Sequence, residues 1–171
     1  MRPYRPRIPV EQDAHVGTGQ RTTWEDVYRT EGTRLWRSLL LLTGDGEMAS
    51  DAMAEAFAQG IARGDDVRSP GAWVWKAAFV IARGDLADRK ERGHGAPDVV
   101  EPESYRDEVI DVLDALRNLS SMQRSAVILH HFAGYTLREV AVMLGSTRSA
   151  VGVHLFRART ELRRSLGDSY G

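Results

Sequence analysis

The fold is read from Leu119-Ser120-Ser121-Met122-Gln123-Arg124, Tyr135-Thr136-Leu137-Arg138-Glu139-Val140-Ala141, Leu144-Gly145-Ser146 and Val151-Gly152-Val153-His154-Leu155-Phe156-Arg157-Ala158-Arg159. Ser120-x-x-Gln123 and Thr136-x-x-Glu139 are both capping-box patterns, in which a hydroxyl and a back-reaching side chain satisfy the unpaired amides of a helix start. Leu137, Val140, Ala141 and Leu144 then recur at helical spacing, Gly145 supplies a residue free to turn at positive φ, and Thr147 caps the next helix. That second helix repeats apolar residues at Val151, Leu155, Ala158 and Leu162, leaving Arg148, Arg157, Arg159, Arg163 and Arg164 around the rest of its circumference. The pattern predicts a helix-turn-helix with a recognition helix after Thr147.

Charge is distributed unevenly along the chain. The 171 residues carry a formal net charge of -1, but Arg117 to Leu166 holds eight Arg against Glu139 and Glu161, a local +6 that leaves the remainder at -7. Localised positive charge attracts phosphates through counterion release, whereas the acidic remainder suits a basic protein partner. The length fits one ordinary domain or two small ones. There is no cysteine, which excludes disulfides, thiolate metal sites and catalytic thiols and fits a reducing cytoplasm. No apolar run approaches the roughly 20 residues of a membrane span, and the segment from Met1 to Arg7 lacks the apolar stretch of a secretion signal. The expected location is cytoplasmic.

Residues 1–21, rich in Pro, Gly and Arg, read as a disordered tail. Everything after it reads as helical. Thr23 caps a first helix with Val27, Leu35, Leu39 and Leu42 inward, which ends at Thr43 before Gly44-Asp45-Gly46. A second helix places Met48, Ala52, Phe57 and Ile61 inward and runs to Arg63. Ser69-Pro70 supplies a cap and a helix-compatible proline for a third, which contains Trp73, Trp75, Ala77, Phe79, Val80 and Ile81. Residues 92–104, with Gly93, Gly95, Pro97 and Pro102 among Asp98, Glu101 and Glu103, form a flexible acidic linker. Ser104-x-x-Asp107 opens the helix carrying Val109, Val112, Leu113 and Leu116. The expected architecture is all-α, with helical domains at 22–91 and 105–171.

Glu47, Asp51 and Glu55 fall at i, i+4 and i+8, one row on the second helix. A row of like charge is destabilising unless it is used. Complementing the helix dipole accounts for Glu47 but fades beyond the first turn. Trp75 and Phe79, at i and i+4, fit either the core or an aromatic platform for unpaired bases. His130-His131 lacks the i, i+4 spacing of a helical metal site, and there is no P-loop, dinucleotide-binding glycine pattern or nucleophile elbow. Neither an enzyme nor a bound metal or cofactor is expected.

Leu41-Leu42-Thr43-Gly44-Asp45, Asp51-x-x-x-Glu55-Ala56-Phe57 and Ala72-Trp73-Val74 are followed by Leu113-Asp114-Ala115-Leu116, Gln123-Arg124, Ala126-Val127, His130-His131-Phe132, Gly134-Tyr135-Thr136 and Arg157-Ala158-Arg159. In order and spacing, from about Thr23 to Leu166, this series resembles the extracytoplasmic-function group of bacterial sigma-70-type sigma factors. The resemblance implies a subunit that directs core RNA polymerase to promoters, with promoter DNA and an anti-sigma factor as further partners. It implies polymerase docking by Asp51, Glu55 and Phe57. It also implies reading of an upstream element by Thr147, Arg148, Ser149, Val153, His154, Phe156, Arg157 and Arg159. For the melted downstream element the matching region offers Trp75, Phe79, Arg83, Arg89 and Lys90. The chain departs from the family pattern at Ala54, usually glutamine, at Phe79-Val80, usually Arg-Asn, and at Gly84, usually aspartate. Ala150-Val151-Gly152-Val153-His154 also stands where the family shows Thr-Val-basic-Ser-basic. These departures leave an alternative, a degenerate sigma-like protein that binds polymerase or a regulator without recognising promoters.

Overall fold

The computed structural model describes residues 21–94 and 107–167. Most of the expected tail and linker, including Ser104, therefore lies outside the described residues. Seven α-helices follow in order: α1 (Trp24–Thr43), α2 (Gly46–Arg63), α3 (Pro70–Glu91), α4 (Asp107–Arg117), α5 (Ser121–Val127), α6 (Leu137–Leu144) and α7 (Arg148–Gly167). No strand occurs among the described residues. The capping signals account for most boundaries. Thr23 accepts from the Asp26 amide while the Asp26 carboxylate reaches back to the Thr23 amide, so α1 begins on a third capping box. It ends at Gly44, whose φ of 69° is left-handed, and that glycine's amide donates to Leu40. Asp45, expected only to break the chain, caps α2 by accepting from the Glu47 and Met48 amides. Ser69 makes no side-chain capping bond; Pro70 alone pre-sets the first turn of α3.

Helices α1, α2 and α3 pack on one another around Leu35, Leu39, Leu42, Ala52, Val74 and Phe79. Each large apolar side chain buried there contributes about 1.5–3 kcal/mol relative to exposure. The inward face of α2 differs from the expected one. Ala49, Ala52, Ala56 and Gly60 line it beside Phe57, and Ile61 is 58% exposed. At Gly60 a small residue is needed because a large ring arrives from the other side: Trp24, which also stands edge-on to Phe57 and Trp73, at 6.3 and 6.0 Å between centroids. A Cβ on Gly60 would lie 2.3 Å from the Trp24 ring. Gly60→Ala is therefore expected to destabilise the protein by about 1–3 kcal/mol, although alanine is the better helix former. Urea unfolding followed by circular dichroism checks this, and an unchanged or raised midpoint would contradict it.

Helices α4 to α7 form a second unit, in which α7 packs on α5, α6 and α4. Between α5 and α6 the chain makes a π turn at Ile128–Phe132, closed by the Ala133 amide donating to Ile128 at 2.8 Å. Gly134, at φ 82°, then reverses the chain into Tyr135. The two units are packed together. Residues from both fall in one apolar cluster, and α3 meets α6 while α1 meets the π turn. The Tyr135 ring stands edge-on to Trp75 at 5.2 Å. Arg34 of α1 lies over both rings, at 4.9 and 5.8 Å, pairs with Glu31 and donates to the Ala133 carbonyl. Trp75 donates to the same Glu31 at 3.3 Å.

Candidate nucleic-acid and protein interfaces

The helix-turn-helix is built as its capping residues require. Thr136 and Glu139 exchange amide bonds at the start of α6, at 3.3 and 2.7 Å. Gly145, at φ 59°, carries the turn, and the Ser146 amide donates to Ala141. Thr147 then accepts from the Ala150 amide at 3.1 Å and starts α7. Val151, Leu155 and Ala158 are buried against the rest of the unit. The opposite side of α7 faces outward with Ser149, Val153, Phe156, Arg157 and Thr160 all exposed, together with Arg148 at its first turn. Val153 and Phe156 are 47% and 70% exposed, so the outward side of α7 carries apolar as well as cationic side chains.

Two expected DNA contacts sit off this surface. His154 is half-buried at its edge. Arg159 lies on the flank towards His131, whose imidazole is held below its ordinary pKa first by burial and then by the charges of His130 and Arg159. His130 is anchored instead, with its Nδ1 2.7 Å from the Tyr135 carbonyl.

The basic segment also divides in a way that charge counting did not show. Arg124 is structural: it donates to the Leu42 carbonyl at 2.6 Å and to the Arg117 and Leu119 carbonyls at 3.2 Å, satisfying helix ends of α1 and α4. Arg117 is ion-paired with Asp114 and Arg164 with Glu161. The exposed cations of α6 and α7 that form no ion pair among the described residues are Arg138, Arg148, Arg157, Arg159 and Arg163.

On α2 the carboxylates of Glu47, Asp51 and Glu55 are all exposed, and none is ion-paired among the described residues. Glu55 accepts only from the neutral Gln59 amide. The acidic surface continues onto α3, which the sequence reading missed. Asp85 has its pKa raised, first by burial and then by the neighbouring charges of Asp88 and Asp51. Phe57 does not join this surface. It is 8% exposed and faces Tyr28 and Trp24 across a groove between α1 and α2, also lined by Trp36, Met53 and Ile61.

The residues matched to a downstream element are dispersed. Trp75 and Phe79 are core, at 1% and 0% exposure, because Tyr135 and Arg34 cover the former and α3 turns the latter inward. As placed, neither offers a face to a base. Arg89 is paired with Asp45 at 3.0 Å, and Arg83 donates to Met122 of α5. Lys90 alone of this set is exposed.

These features define a two-unit helical protein with a capped helix-turn-helix in its second unit and an acidic face on its first. Residues 110–162 match the family described as Sigma-70, region 4. The chain is 26% identical over 157 residues to the ECF RNA polymerase sigma factor SigL of Mycobacterium tuberculosis, covering 82% of this chain and 86% of that one. With SigM of the same organism it shares 28% over 167 residues, 90% of this chain and 82% of the relative. Among solved structures it is similar to the sigma factor RpoE of Bartonella quintana, there in complex with the anti-sigma factor NepR, with a TM-score of 0.67 at 21% identity, covering 84% and 98% of the two chains. It is also similar to CnrH in complex with the cytosolic domain of CnrY, at a TM-score of 0.66 and 21% identity over 88% and 92%. Over most of its length the chain is thus similar to extracytoplasmic-function sigma factors, and its match to Sigma-70, region 4 falls within its second unit.

Proposed function

We infer that this chain directs core RNA polymerase to promoters, with the unit spanning 22–91 docking on the polymerase and the unit spanning 105–171 reading the upstream promoter element. The observation that carries this reading is the capped α6–α7 module, whose outward side bears Ser149, Val153, Phe156 and Arg157 with Arg148 at the first turn of α7. Cations around such a helix neutralise phosphates, and the side chains along its outward stripe reach base edges in the major groove. Asp51 and Glu55 are the docking pair, supported by Asp85 and Asp88 beside them. An anti-sigma factor is a further partner, by analogy with the complexes of the structural relatives.

Run-off transcription tests the reading. Core polymerase supplied with the full chain is expected to start transcripts at discrete positions on a library of linear bacterial DNA fragments. A transcript pattern indistinguishable from that of core polymerase alone would overturn it.

A further inference from the structure

Gly152 and Val153 sit side by side on α7 where a DNA-reading helix would ordinarily carry polar or cationic side chains. Gly152 has no internal reason to be glycine. A Cβ built there meets no atom within 4 Å, its φ is not positive, and a glycine inside a helix is less favourable than alanine by about 1 kcal/mol. What the missing side chain clears is space outside the protein. Val153 lies beside that clearing, half-exposed, in line with Ser149 before it and Phe156 after it. Arg148 and Arg157 flank the stripe, so whatever meets Val153 also meets positive charge.

A duplex is the occupant that fits both properties, since its phosphate strands border a groove in which thymine alone presents an apolar group, the C5 methyl. We propose that Val153 reads a thymine methyl in the upstream promoter element, and that Gly152 lets the groove floor approach α7 closely enough for this contact. The inference rests on the promoter-directing reading above and adds its base preference. Val153 has no donor or acceptor on its side chain, so the discrimination comes from burying methyl against isopropyl.

The test uses holoenzyme assembled from the full chain and core polymerase. A pool of duplexes randomised over the upstream segment is selected for binding, and the best duplex is resynthesised with each thymine in turn replaced by deoxyuridine, which lacks only the methyl. At one position the replacement is expected to weaken binding about fourfold, the worth of one buried methyl. With Val153→Ser holoenzyme the same replacement is expected to have no effect, a comparison made within one protein and so independent of its stability. Gly152→Ala is expected to weaken binding of the selected duplex at least about tenfold while helicity is kept or raised. Enrichment of duplexes with no methyl dependence, or a methyl dependence equal in Val153→Ser, would overturn this inference and leave promoter reading standing. Failure to enrich any duplex would overturn both.

Discussion

Asp51→Lys combined with Glu55→Lys is expected to weaken binding to core RNA polymerase by at least about a hundredfold while leaving helicity unchanged. Both side chains are exposed on α2 and neither pairs with a cation of the described chain, so no internal ion pair is lost and only the exposed Gln59–Glu55 hydrogen bond goes. What changes is the sign of the surface. Two carboxylates beside Asp85 and Asp88 become two ammonium groups, and like charge set against a basic partner patch costs several kcal/mol. Fluorescence anisotropy of labelled protein titrated with core polymerase, with circular dichroism as the control, gives the answer. Unchanged affinity would remove α2 as the docking element. The salt dependence of the unmodified protein should also be steep, because the pairing is exposed and therefore screened.

Trp75→Ala is expected to lower the free energy of unfolding by about 3–5 kcal/mol, the range for emptying a buried tryptophan site. The ring is 1% exposed and meets Phe79 within α3, Tyr135 from the second unit and the Arg34 guanidinium from α1. Its removal also takes away a donor to Glu31. Trp73→Ala, two residues away on the same helix but only half-buried, is the reference and is expected to cost less. Urea unfolding of both variants measures the difference. A loss at Trp75 no larger than at Trp73 would show that the ring is not packed between the units.

The helices were legible because their ends are written in side chains. Thr23, Ser120, Thr136 and Thr147 are short-range signals, each needing only the residue two or three places on, and every one of them makes its bond. The π turn after Val127 carries no such signal, since it is set by how Ile128, Leu129 and Tyr135 pack. The inward face of α2 was misread at Ile61 for a related reason. Apolar periodicity weighs large side chains, but here the buried face of the helix is made mostly of alanines, with Gly60 set against the Trp24 ring of α1. Charge counting found the basic segment and the acidic row. It could not tell that Arg124 is spent on the carbonyl ends of α1 and α4, because those ends come from residues 42, 117 and 119 and meet only in three dimensions. Trp75 and Phe79 are ambiguous at i and i+4 for the same reason: the covering Tyr135 lies sixty positions downstream of Trp75.

The contact of Arg34 and Trp75 with Ala133 and Tyr135 closes the two units on each other. A partner that grips the units apart can bind only molecules in which this contact has already come undone. Its apparent dissociation constant is then the intrinsic one divided by the separated fraction, so a fraction of about 1% weakens it a hundredfold. Tyr135 thereby acts as a toll on every such partner alike, whereas one that accepts the closed form is exempt, and the ratio between two competitors can be shifted by a side chain that neither of them touches.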